Sequence, residues 1–272
     1  MEDLHKLCVH TITTKPLAFK DACRVFSERN IPGITIWRDA IENIAPVEVK
    51  ATLKDHNLQL ISYCRGGFFP HPDKSKRQLA IVDNLKMIEE AESIEAPMIV
   101  LVCGSHPGQS LETSRKQIRE GIEAILPDAE KAGIKLAIEP LHPMYADERS
   151  AINTMNQANE LAEEINSPCL GVAVDVYHLW WDPSLKKEIM RCGKNQHLFA
   201  LHVCDWLTPT KHFLLDRGLM GEGSINIKQI RSWAEEAGYN GFYEVEIFSE
   251  RWWAEDQEVF LDKIVEAYEM HV

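Results

Sequence analysis

Residues 110–140 read SLETSRKQIREGIEAILPDAEKAGIKLAIEP. Ser110–Lys131 carries apolar residues at helical spacing, and Ala132-Gly133 follows, as glycine does where a helix ends. The next run, Lys135–Glu139, is too short and too continuously apolar for an amphipathic helix, and it closes on a carboxylate. This is one helix-to-strand unit, and the same alternation extends in both directions. Further strands are expected at Lys6–Thr13, Gly33–Trp37, Leu58–Cys64, Met98–Cys103, Gly171–Val176, Leu198–Cys204 and Phe242–Phe248. Helices are expected at Pro16–Arg29, Pro46–His56, Asp73–Ile94, Ser150–Ile165, Ser184–Cys192, Ile227–Ala237 and from Trp253 to Tyr268. In Asp73–Ile94, the residues Leu79, Val82, Leu85, Met87 and Ile88 are expected on the covered side.

Near-continuous apolar strands fit parallel pairing with both faces covered. The 272 residues allow two ordinary domains or one large α/β unit. No linker, low-complexity tract or charge block divides them, and the first strand-to-helix turn, His10-Thr11-Ile12-Thr13-Thr14, lacks the glycine fingerprint of a dinucleotide fold. The chain is therefore read as α/β, a single (β/α)8 TIM barrel domain over residues 1–272. A hydrophobic share of 45% with 26% charged residues excludes disorder and a disulfide miniprotein. Seven cysteines without a C-x-x-C pair suggest reduced thiols, and no export signal or membrane span is evident, so a cytoplasmic protein is expected. The net charge of −13 opposes nucleic acid and anionic membranes as partners.

In such a barrel the chemistry lies at the carboxyl ends of the strands. Strand five ends at Glu139, strand six at Asp175, strand seven holds His202 and strand eight Glu246. A buried carboxylate alone is costly and needs a partner. Separations of 36, 27 and 44 residues are about one βα unit or more, so the four side chains can meet around one axis. Three carboxylates and one imidazole suit one divalent ion, Mn first, with Mg, Co or Zn as alternatives.

On these residues, and on Asp175-x-x-His178, His202-x-x-Asp205, Asp216-Arg217 and Gly221-Glu222-Gly223, the chain resembles the xylose-isomerase-like TIM barrels. That family includes sugar isomerases, ketose 3-epimerases and inosose isomerases, with the endonuclease IV type as a relative. The resemblance is to inosose-isomerase-type members above all. It implies that Glu139, Asp175, His202 and Glu246 bind the metal, while His178 and Arg217 contact substrate oxygens. The implied reaction is isomerisation or epimerisation of a keto sugar or keto-inositol through a metal-held enediolate. Glu139 and Glu246 serve as acid/base groups and Arg217 as oxyanion partner.

His10, Trp37, Arg65 and His142 are further candidates for substrate contact at the barrel mouth. Each has an ordinary alternative: Arg65, like Arg38, can pair with surface acids, His142 can cap a loop and Trp37 can simply pack. Arg65–Pro72 is expected as a lid or a Phe-anchored turn, Gly104–Gly108 as a turn rather than a phosphate loop, and Trp206–Gly223 as the long loop that delivers Arg217. Two other enzyme readings share the residues. A lyase or dehydratase begins with the same proton abstraction, whereas an endonuclease IV-like nuclease wants an Asp-Arg-His segment where this chain has Asp216-Arg217-Gly218. A non-catalytic metal-stapled module is a further alternative. The expected partner is a small polyol or sugar, with a homo-oligomer as the family's habit.

Overall fold

The computed structural model describes residues 4–272. Eight strands form the wall: β1 Leu7–His10, β2 Gly33–Trp37, β3 Gln59–Gly67, β4 Met98–Val102, β5 Lys135–Ile138, β6 Leu170–Asp175, β7 Leu198–Val203 and β8 Tyr243–Val245. Each pairs in parallel with its sequence neighbours and β8 pairs with β1, closing the barrel. The helices that return the chain are α1 Phe19–Glu28, α2 Pro46–Asp55, α3 Lys74–Ser93, α4 Leu111–Ala132, α5 Met155–Ile165, α6 Leu185–Lys194, α7 Ile227–Glu236 and α8 Gln257–His271. Among the described residues no helix is long and apolar enough to cross a membrane.

The local chemistry explains the units. Asp73, Ser110 and Thr154 each cap a helix by accepting a backbone N–H at its first turn. Gly133 ends α4 at φ 70°, a left-handed position open to glycine, and the chain enters β5 two residues later. Within the barrel, Ala137, Ala173 and Ala200 leave room for Cys64, Met98 and Val100, so the lower interior is filled by side chains. The outer layer packs strands against helices in one larger core.

Helix α3 corrects one expectation. Met87 and Ile88 are buried, but Leu79 and Val82 are 60% and 53% exposed. A polar residue turns the helix: Asn84 accepts from Gly67 N–H at 2.7 Å and donates to Gly67 O at 2.8 Å. Satisfying that buried peptide fixes which face of α3 meets the sheet. Strand β3 accordingly runs three residues past the expected end at Cys64.

The Arg65–Pro72 segment divides its two phenylalanines. Phe69 is buried, and Phe68 is 41% exposed under the Arg65 guanidinium. Phe69 lies against Gly121 of α4, where an added Cβ would stand 2.3 Å from its ring. Gly121→Ala is expected to lower stability by about 1–3 kcal/mol through overpacking, outweighing the gain of about 1 kcal/mol in helix propensity. Urea unfolding checks it, and an unchanged or raised midpoint would refute this packing.

Candidate active site

Parallel register assembles the centre. Asp175, last in β6, lies beside His202 of β7, and His202 lies beside Glu244 of β8. Glu139 directly follows β5, and Glu246 directly follows β8. The structure brings together the four residues read from the sequence: Glu139, Asp175, His202 and Glu246 each offer a ligand atom within 4.8 Å of the others, and all are buried. Bonds of roughly 2.0–2.2 Å put donors on opposite sides of one small ion about 4.2 Å apart, so the spread matches a single cation.

The protonation states follow from the surroundings. His202 donates through Nδ1 to Glu139 Oε1 at 2.9 Å. Burial disfavours its charged form, but that bond and the Glu244, Glu246 and Glu139 charges prevail and hold His202 at about 10. Burial raises Asp175 to about 7 against the pull of Arg217, with Glu246 and Glu139 adding to the rise. Glu246 is also penalised by burial, yet Arg217 and His10 hold it well below the carboxylate range. His178 is kept neutral by burial and by the adjacent Arg217.

Arg217 is the one permanent cation in direct contact with this cluster among the described residues. Its Nη1 donates to Asp175 Oδ2 at 3.0 Å and to Glu246 Oε2 at 2.8 Å, and its Nη2 donates to His178 Nε2 at 3.1 Å. Tyr177 and Phe248 face the guanidinium at 4.4 and 5.0 Å. The long loop positions it through Asp205, whose carboxylate accepts the N–H groups of Trp206, Gly221, Gly223 and Ile225. Asp205–Trp206 and Arg217–Gly218 then pair as a short antiparallel ribbon. The Gly221-Glu222-Gly223 pattern thus has a structural cause, since a Cβ at Gly223 would meet Trp206 O at 2.2 Å.

The other candidates separate. His10 is fully buried within the cluster, with Nε2 on Glu244 Oε2 at 3.2 Å and Nδ1 3.3 Å from both Glu246 Oε1 and the Trp37 indole nitrogen. Trp37 and Arg65 line a cavity of about 30 Å³ together with Glu139, His178, Arg217 and Glu246. The same two residues and Phe248 also line an adjoining cavity of about 810 Å³ walled by residues 38–46 and by α3. Arg65 Nη1 is buried without a hydrogen-bond partner, so this arginine does not pair with surface acids. Arg38 does, gripping Glu90 and Asp83. His142 accepts from Met144 N–H through Nδ1, the capping role, and its ring lies 5.2 Å from that of Trp206.

Glu244 was not among the residues singled out from the sequence. It is fully buried, and Oε2 accepts from Thr35 at 2.6 Å, Ser62 at 3.1 Å and His10 at 3.2 Å. Its two-residue spacing from Glu246 was the available signal, because alternate strand residues share a face and both must point into the barrel. Asp175 and Glu246 meet Arg217 directly, and with Glu139 and His202 they form an oxygen-rich cradle suited to a divalent ion. The two candidate groups among the described residues share His202 and Glu246, so they define one centre rather than several. Gly218 stands where an endonuclease IV-like segment needs histidine.

Comparison with known proteins agrees with this architecture. The chain is 26% identical to inosose isomerase of Halalkalibacterium halodurans over 205 residues, covering 74% of this chain and 71% of that protein. Protein SMc04130 of Sinorhizobium meliloti 1021, a solved structure, is 43% identical with a TM-score of 0.95 and 99% of each chain covered. The IOLI protein, solved with a bound zinc atom, shares the fold at 20% identity and TM-score 0.84, over 97% of this chain and 96% of that one. A family profile described as Xylose isomerase-like TIM barrel matches residues 27–264. Barrel closure, the placement of polar residues at the strand ends and that match together make this chain a member of the xylose isomerase-like TIM barrel family.

Proposed function

We propose that the protein is a divalent-metal-dependent isomerase or epimerase of a keto sugar or keto-inositol. The observation that carries this reading is two glutamates, Glu139 and Glu246, within one four-residue ligand group beside the buried cation Arg217. A bound divalent ion, Mn²⁺ by donor type or Zn²⁺ as in the IOLI structure, supplies Lewis-acid polarisation and a template for adjacent oxygens. The residues of the chain do the rest. Each glutamate has two oxygens, so one can face the ion while the other takes or returns a proton at a carbon next to the carbonyl. Arg217 cannot lose its charge and meets the oxyanion that develops on the substrate. Neutral His178 accepts from Arg217 through Nε2, so its proton lies on Nδ1 and it offers that N–H rather than a second positive charge.

The small cavity at the acids is narrower than a sugar, so the remainder of the substrate would pass Trp37 and Phe248 into the adjoining space, where Arg65 Nη1 can meet an oxygen. That space favours a substituted substrate. Where the substituent sits β to the carbonyl, the same proton abstraction would end in elimination, which is the lyase reading. The test is incubation of Mn²⁺-loaded protein with inosose, ketohexoses and keto-glycosides in deuterated water. Exchange of a carbon-bound proton, lost with EDTA, is expected. A released aglycone or an enone chromophore selects elimination, and absence of exchange with every polyol ketone would overturn the proposal.

A further inference from the structure

Two buried atoms near the centre lack partners and face each other. His202 Nε2 and Glu244 Oε1 have no hydrogen bond, and they stand 3.9 Å apart. The other oxygen of Glu244 is held by Thr35, Ser62 and His10, and the Ser62 hydroxyl, 2.9 Å from that of Thr35, has its one proton to give either to that oxygen or to Thr35. The carboxylate is therefore fixed by one oxygen and free at the other. On the far side of the imidazole, Nδ1 faces Glu139 Oε1. If His202 is to give Nδ1 to a cation shared with Glu139, Asp175 and Glu246, its proton must reside on Nε2, and a buried N–H needs an acceptor.

We propose that Glu244 is a positioning residue for the metal centre, accepting Nε2–H of His202 through Oε1 and so holding the imidazole in the tautomer and orientation that presents Nδ1 to the ion. The inference rests on the metal reading above. Ligating histidines generally hand their second N–H to a carboxylate or carbonyl. What the structure adds is the identity of the acceptor and the reason it stays in place. The hydroxyls of Thr35 and Ser62, on neighbouring strands, occupy Oε2 and leave Oε1 for His202.

The amide of Glu244→Gln sharpens the test. Thr35 and Ser62 can share one oxygen of the side chain, and this directs the NH2 group toward His202 Nε2. That nitrogen then becomes an acceptor, the proton moves to Nδ1, and the ligand position is blocked. Co²⁺ titration followed by visible absorption, with far-UV circular dichroism as the fold control, is expected to show affinity ~10- to 100-fold weaker than wild type. In ¹⁵N-histidine-labelled protein saturated with diamagnetic Zn²⁺, where the ion takes Nδ1, wild type should carry the single His202 proton on Nε2 and Glu244→Gln should do so less often. Ser62→Ala, which leaves Thr35 and His10 on Oε2, is expected to change affinity by less than about threefold, because only part of one hydrogen bond's worth reaches the ion through His202. Wild-type affinity and tautomer in a folded Glu244→Gln protein would overturn this inference while leaving the metal reading intact. An equal loss in Ser62→Ala would reduce Glu244 to a packing role and overturn it too. A wild-type protein that takes up no Co²⁺ would overturn both.

Discussion

Glu246→Gln is expected to lower turnover by ~10²–10⁴-fold, the range for loss of a positioned acid/base group. The amide has the shape of the carboxylate: its oxygen can keep the Arg217 bond at 2.8 Å, and its NH2 then stands in the place of Oε1, 3.3 Å from His10 Nδ1. The barrel should therefore persist. What disappears is a group held ionised by Arg217 and His10 despite its burial. An amide is also a poorer ligand, so the comparison is made at saturating Mn²⁺ with bound metal quantified. Turnover equal to wild type at equal metal content would remove Glu246 from the proton-transfer role.

Arg217→Met should carry the largest cost in stability. It leaves Asp175 and Glu246 buried without their shared cation, a change of the kind that costs about 3–5 kcal/mol. The pH dependence has a definite sign. Asp175 sits at about 7, above its ordinary value of 3.8, so its charged form already weakens the fold as pH rises through that window. Glu246 lies below its ordinary value of 4.5, so it contributes stability above that pH and loses it as pH falls. Arg217 opposes the first effect and helps cause the second. Its removal should therefore hurt more at pH 8 than at pH 5. Urea unfolding in EDTA at the two pH values measures this, and added Zn²⁺ should restore part of the loss by binding only the folded state. Equal destabilisation at both pH values would show that Arg217 acts through packing against Tyr177 and Phe248 instead.

The barrel was legible because its strands are covered on both sides, so the chain alternates apolar runs with amphipathic segments and breaks the pattern only at strand ends. Glu139, Asp175, His202 and Glu246 are those breaks, and the structure brings them together. Other features depend on three-dimensional partners that spacing does not encode. The covered face of α3 follows from Asn84 meeting a peptide of β3. The role of Arg65 depends on the absence of an acid near its Nη1, whereas Arg38 has two. Glu244 was hidden by its company, since a reading that looks for strand-end acids takes the outermost of two and overlooks the one a layer deeper.

Asp205 holds the amides on both sides of the Arg217 loop, Trp206 before it and Gly221, Gly223 and Ile225 after it. Residues 208–212 project outward, and the segment up to Phe213 meets the barrel mouth mainly where Tyr145 and Tyr177 donate to Phe213 O. The loop is thus built like a handle on a fixed bracket. Its outer end is tied back through Lys211 N–H to Asp216 and Thr208 to Ser224, which makes 208–212 the natural point at which to graft new substrate contacts while Asp205 holds the base of the loop.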